Sequence, residues 1–304
     1  MNSSLCPWSK GLIRAEALRL GAVAFGCSVA GPVDAEYRRG YERWLAEGRA
    51  GSMAYLANYP ELRFDPRKLL HGAKTVISMA FPYRPAGGYH HPHIADYALG
   101  QDYHYVVKDR LQRLAAFIFE HFGAQSRACV DSAPILERYW AEKSGLGWRG
   151  LNGQLIVPDV GSGVFLGELV TTLELAPDAP IEGHCGHCGA CVRVCPGGAI
   201  GPDGSFDARR CLSYLSIEHK GGLPDDVRFG RRVYGCDSCQ RVCRHNRCEP
   251  PEPLPEFYPD ARLLKLDREA LSHLTPGDWR RLTAHSAMRR IPLKQLLKII
   301  NLGR

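Results

Sequence analysis

The chain has 304 residues, 45% hydrophobic and 23% charged, a globular composition that excludes disordered and fibrous chains and leaves room for about two domains. No apolar run approaches the roughly 18 residues of a membrane span, and the start lacks both a basic-then-apolar leader and a twin arginine, so a cytoplasmic protein without membrane contact is expected. The net charge of +7, from 39 basic and 32 acidic side chains, permits a polyanionic partner without requiring one.

From Ser9 to Gly21 the spacing is that of an amphipathic helix, with Leu12, Ile13, Leu18 and Leu20 on the apolar side; "AVAFG" after it reads as a short buried strand. "YRRGYERWLAEG" has helical spacing at Tyr41, Trp44 and Leu45. Thr75 to Phe81 is β-branched and apolar, and Pro82 ends it: a central strand. Val107, Leu111, Leu114 and Ile118 mark the clearest helix, which Gly123 stops. "SRACVD" is strand-like, and a helix is expected from Pro134 to Gly145. "NGQLIVP" and "GVFLGELVTTLEL" alternate like paired strands. This order of strands and helices predicts a mixed α/β or α+β first domain, residues 1–176. Proline-rich stretches then bracket a cysteine module, 177–250, and a helical tail, 251–304.

Twelve cysteines in a long chain without an export signal point to metal ligands rather than disulfides. Cys6, Cys27 and Cys129 are scattered and read as plain buried thiols; the other nine lie between Cys185 and Cys248. Cys185-x2-Cys188-x2-Cys191-x3-Cys195-Pro196 is the ferredoxin-type run, in which three thiolates take one cubane and the fourth turns to a second. Cys236-x2-Cys239-x3-Cys243 is one cysteine short of that run and has Arg244 in the proline position. Cys211, 25 residues before Cys236, closes the count; Cys248 is the alternative, though Pro250 and Pro251 steer it into a linker. Ferredoxin logic gives one 4Fe–4S cluster to Cys185, Cys188, Cys191 and Cys243, and the other to Cys195, Cys211, Cys236 and Cys239. Structural zinc also uses CxxC pairs, but it does not need the x2-x2-x3-Pro run. Clusters relay single electrons and do little bond chemistry, so the first domain must hold what receives them.

"GLGWRG" is a formal GxGxxG but follows a helix, so the dinucleotide-binding context is missing. Asp102 and His104 begin an Asp-x-His-x-x-Gly pattern whose glycine is replaced by Val107; a helix-start histidine is also an ordinary cap or core residue. Asp131, between a strand and a helix, reads either as a helix cap or as a catalytic carboxylate.

The stretches "VDSAPILERYWAEKSGLGWRG", "GSGVFLGELVTTLEL", "CGHCGACVRVCPGGAI", "DARRCLSYLSIEH" and "VYGCDSCQRVC" resemble the epoxyqueuosine reductase family, and the resemblance covers nearly the whole chain. It implies an α/β cobalamin-binding sandwich like that of reductive dehalogenases, then a two-cluster ferredoxin-like module and short C-terminal helices. Many members of the family add a C-terminal helical-repeat domain; this chain ends at about the point where that domain would begin, so the resemblance leads to the expectation of a short form. The implied activity is reduction of epoxyqueuosine to queuosine at the wobble position of tRNA, with cobalamin, two 4Fe–4S clusters and an external low-potential electron donor, in a monomer. The V-D-[ST]-A-P motif puts the catalytic aspartate at Asp131. Implied cobalamin contacts are Arg63, Tyr103, His104, Asp131, Asn152, Gln154, Phe165, Ser213 and Ser238. After "GW" the family reads I-G-K-N-T, whereas this chain has Leu151 for the lysine and Gly153 for the threonine.

The tail from Pro276 to Arg304 carries seven basic side chains against one acid, Asp278, a net +6. Leu293, Leu296, Leu297 and Ile300 are expected inward and Lys294 and Lys298 outward. With tRNA as the implied substrate, Arg289, Arg290, Lys294 and Lys298 are candidate phosphate contacts, extended by Lys220 and Arg231. Two other classes remain: a reductive dehalogenase, and a non-enzymatic electron-transfer protein, which leaves "VDSAP" unexplained.

Overall fold

The computed structural model describes residues 7–85 and 90–302; Cys6 and Arg304 fall outside them. The first part of the chain forms α1 (Pro7–Arg19), β1 (Ala24–Val29), α2 (Ala35–Ala46), α3 (Pro60–Arg63), β2 (Thr75–Pro82), α4 (Tyr103–Phe122) and β3 (Ser126–Cys129). It continues with α5 (Glu137–Lys143), the short β4 (Trp148–Arg149) and β5 (Leu155–Ile156), and β6 (Val164–Thr171). Four strands make one sheet in the order β1-β2-β6-β3, with every pairing antiparallel. This part is therefore α+β, with helices laid on an antiparallel sheet rather than threaded between parallel strands.

All eight residues of β2 are buried because both sheet faces are covered. Ile77, Met79 and Phe81 meet Ile13 and Ala17 of α1 and Leu111, Leu114 and Ile118 of α4. On the opposite face Val76 and Val170 meet Tyr139 and Trp140 of α5. α4 lies close to the sheet because β6 carries Gly167, where a Cβ would stand 2.8 Å from Val107 and 3.0 Å from Leu111. Gly123, at φ 64°, ends α4 in the left-handed conformation that favours glycine.

Three local expectations fail. Leu12 and Leu18, expected on the apolar side of α1, are exposed, and only Ile13 and Leu20 of that set are buried. The helix expected from Pro134 begins at Glu137. Residues 131–136 form a loop instead, fixed where Glu137 Oε1 accepts the Asp131 backbone N–H at 2.6 Å. Nor do "NGQLIVP" and "GVFLGELVTTLEL" pair with each other. β5 pairs with β4 across a turn closed by a 2.9 Å bond from the Gly153 N–H to the Gly150 carbonyl. β6 runs between β2 and β3. Alternation fixes which face of a strand is buried, not which strand it joins.

Among the cysteines lie α6 (Ala190–Val194), α7 (Leu212–Ile217) and α8 (Ser238–Arg241); the tail forms α9 (Ala261–Leu264), α10 (Arg268–Ser272), α11 (Pro276–Leu282) and α12 (Leu293–Leu302). A second core joins Ile94 and Leu99 to Leu215 and Tyr234 and to Trp279 and Met288 of the tail. α12 buries Leu293, Leu296, Ile299 and Ile300, each contributing roughly 1.5–3 kcal/mol when fully buried. Leu297, expected inward, is half-buried. Both proline-rich linkers are docked. Asp178 Oδ2 accepts the Cys27 backbone N–H at 2.8 Å, and Phe257 is buried against Phe165 with ring centroids 4.8 Å apart. Among the described residues no helix is long and apolar enough to cross a membrane.

Candidate active site

A cavity of about 1280 Å³ is walled by the sheet domain, the cysteine-bearing segments and the tail. It exceeds the roughly 300–1,000 Å³ of an ordinary small-molecule pocket.

One wall is built from the start of α4 and the loop after β3. Asp102 caps α4: its Oδ1 accepts the His104 backbone N–H at 3.1 Å and lies 2.7 Å from the ring Nδ1. His104 Nε2 lies 2.8 Å from Asp131 Oδ2. Asp131 has φ 39°, a strained conformation for a residue with a side chain, and it is no helix cap, since Leu136 holds that position for α5. Glu137 holds its backbone and His104 its carboxylate. Tyr103 stacks on Phe165 at 4.4 Å and on His104 at 4.1 Å; Tyr83 extends the aromatic row, 4.7 Å from Phe165.

Burial alone would pull His104 down, but its hydrogen bonds to Asp102 and Asp131 outweigh that and push it up to about 9. Burial would raise Asp131, yet the hydrogen bond and charge of His104 hold it below the usual carboxylate range. At neutral pH the proton of this pair therefore sits on His104, and Asp131 is its ionised partner. Glu137 behaves oppositely: burial first, then the Asp131 charge, push it up to about 8.

Cys195, Cys211, Cys236 and Cys239 line the cavity too. Burial, then Cys236 and Cys211, push the Cys239 thiol up to about 12, and Cys195 also lies within electrostatic reach. Burial raises Cys211 as well, with Cys236 and Cys195 as neighbours. In the other set burial raises Cys191, with Cys188 and Cys243 nearby. Crowded thiols that resist ionisation need a strongly cationic core to bind as thiolates. Among the described residues no three His, Cys, Asp or Glu side chains are arranged for a single metal ion; a cubane is larger and takes one thiolate per iron. Cys248 stands apart, its Sγ donating to the His245 carbonyl at 3.1 Å.

Tyr103, His104, Asn152, Gln154, Phe165, Ser213 and Ser238 line the cavity beside Asp131. Arg63 does not: it is buried and donates to the backbone carbonyl of Tyr55 at 3.3 Å, and Tyr55 is the one that reaches the cavity. Arg289 and Arg290 line it, with Arg290 already paired to Glu218 at 2.8 Å. Lys220, Arg231, Lys294 and Lys298 are exposed and do not. The sequence did not single out Glu137 or Arg138, which also line the cavity. An acid in a helix's first turn is ordinary, so no pattern marked Glu137.

Residues 63–132 match the family described as "Epoxyqueuosine reductase QueG, DUF1730", and residues 184–246 the "4Fe-4S double cluster binding domain". The chain is 40% identical over 286 residues to the epoxyqueuosine reductase of Cellulophaga algicola, covering 92% of each. It belongs to the epoxyqueuosine reductase family. The Escherichia coli epoxyqueuosine reductase is 39% identical over 265 residues, 82% of this chain and 69% of that one. A crystal structure of epoxyqueuosine reductase with an epoxyqueuosine-modified tRNA-Tyr stem loop matches with a TM-score of 0.85 at 28% identity, over 97% of this chain and 80% of that one. The fold and the double-cluster module of this chain are those of the family.

Proposed function

We propose that this chain reduces epoxyqueuosine to queuosine at the wobble position of tRNA, with Asp131 and His104 as its acid and two 4Fe–4S clusters as its electron path. The observation that carries the reading is the two-walled cavity, with a proton-bearing pair on one side and four thiols on the other. Residues 1–176 supply the acid wall, 177–250 the clusters and 251–304 a basic tail.

Cys185, Cys188, Cys191 and Cys243 hold the outer cluster, where Cys188 is exposed, and an external low-potential donor reduces it. Cys195, Cys211, Cys236 and Cys239 hold the inner one, beside the substrate space. One chain carries every group, so a monomer suffices. Cobalamin is the group the family resemblance implies, and the residues present fit it. The cavity is large, the row of aromatic rings offers flat apolar contact to a macrocycle, and Asn152, Gln154, Ser213 and Ser238 offer polar atoms to its amide-bearing rim. When bound it supplies a reducible cobalt able to act on an epoxide carbon.

The protein's own part is acid catalysis and positioning. An epoxide oxygen is a poor leaving group until it is protonated. The proton held on His104 Nε2 passes through the half-exposed Asp131 carboxylate to that oxygen as the C–O bond opens. Arg289, Arg290, Lys294 and Lys298, with Lys220 and Arg231, hold the phosphates of the tRNA. Anaerobic protein carrying both clusters and cobalamin, given a low-potential reductant and epoxyqueuosine-containing tRNA, converts it to queuosine tRNA by nucleoside mass spectrometry. No conversion by the fully loaded protein would refute the reading.

A further inference from the structure

Removing an epoxide oxygen as water breaks two C–O bonds and consumes two electrons and two protons. The His104–Asp131 pair holds one proton. A second acid lies behind it. Glu137, the first residue of α5, lines the cavity, and its Oε1 accepts the Asp131 backbone N–H at 2.6 Å. Beneath α5, Glu168 of β6 is fully buried, and neither carboxylate oxygen has a hydrogen-bond partner among the described residues. Its cross-strand neighbours are Ser78 and Cys129, so no cation flanks it in the sheet.

We propose that Glu137 stores the second proton of the reaction and releases it into the cavity, while Glu168, buried beneath it, takes no part in the transfer. This rests on the Asp131–His104 pair acting as the first acid. The groups that face Glu137 are Asp131 from the loop, Arg138 on its own helix, His104 and Tyr103 from α4, Glu168 from β6 and Cys129 from β3. Burial and the Asp131 charge outweigh the bond from the Asp131 backbone N–H and the charges of Arg138 and His104, so Glu137 keeps its proton at neutral pH. Burial, then Glu137, hold Glu168 well above the usual carboxylate range. An acid already protonated accepts nothing from Glu137, so the Glu137 proton moves outward. There it joins the oxygen that has taken the first proton, and that oxygen leaves as water. The two electrons come through the clusters, and solvent recharges Glu137 once product departs. The device fits a site that bound tRNA covers during turnover.

Glu137→Gln keeps the oxygen that accepts the Asp131 N–H, so the loop stays in place while the stored proton is lost. In cluster-loaded wild-type protein labelled with ¹³C-glutamate, difference infrared spectroscopy should show a carboxylic acid titrating near pH 8, absent from the variant. The variant's rate at pH 7 should fall roughly tenfold or more. Its alkaline limb near pH 8 should vanish, leaving the His104 limb near 9, with iron content and the KM for tRNA unaltered. Glu168→Gln, a neutral isostere, should change neither rate nor limb. Absence of a glutamic acid titrating near pH 8, or a Glu137→Gln variant with wild-type rate and limb, would overturn the proposal. So would a Glu168→Gln variant as impaired as Glu137→Gln, since the store would then be Glu168. The infrared titration needs no turnover, so failure of the Asp131 reading alone would leave it intact.

Discussion

Asp131→Asn removes one carboxylate and nearly preserves shape, and it should act twice. The first effect is loss of the group that hands the proton to substrate, on the order of 10²–10⁴ in rate, or about 3–5 kcal/mol in the barrier. The second concerns what stands behind it. With His104 at about 9, about 97% of the imidazole is charged at pH 7.5; returned to 6.5 it would be about 9% charged. Asp102 remains 2.7 Å away, so the variant falls between these limits. The sign follows from the raised value: the proton-bearing form is present at low pH and lost as pH rises through about 9, so the variant's activity should fall away at lower pH than wild type's. Glu137 also loses the charge that raises it, so its limb moves the same way. The assay is kcat and kcat/KM on epoxyqueuosine tRNA across pH 6–10, with iron and cobalamin measured on the same samples. A kcat within a few-fold of wild type, or an unmoved alkaline limb with intact cofactors, would refute the reasoning and leave Asp131 a strained loop residue.

The two thiol sets predict about eight irons in anaerobically prepared protein; Cys211→Ala should lose about half of them. Cys248→Ala should lose none, because its thiol is spent on the His245 carbonyl, and the reverse pattern in iron analysis would reassign the fourth ligand. Changing Arg289, Arg290, Lys294 and Lys298 together to Gln should raise the KM for tRNA with cluster reduction untouched. Because Arg290 is already paired with Glu218, about three free cations are removed, and the log–log salt slope should flatten by about 2. An unchanged KM and slope would place the tRNA grip elsewhere.

Much of the fold was legible because its signals were local. Thr75–Pro82 reads as a strand from its own β-branched run, and α4 from the recurrence of Val107, Leu111, Leu114 and Ile118, with Gly123 to stop it. Thiol spacing announced the cluster module, since iron coordination constrains sequence distance directly. What stayed hidden depends on distant partners. β6 alternates, yet nothing in its pattern selects β2 and β3 over β5. "CEPPEPLPEFYP" reads as a spacer, yet Phe257 within it packs on the aromatic wall. Asp131 is singled out by its motif, but its low proton affinity comes from His104, 27 residues earlier in sequence. Glu137 is a plain helix-start acid until the fold sets it beside Asp131 and above Glu168.

The cavity takes its walls from stretches as far apart as Tyr55, His104, Cys195 and Arg290. On the ribosome, then, the walls are incomplete until residue 290 has emerged, by which time all eight cluster thiols have been made. A large organic cofactor has no enclosed place to settle before that moment. On the function proposed above, cobalamin would thus enter a chain already folded rather than serve as a nucleus around which it folds.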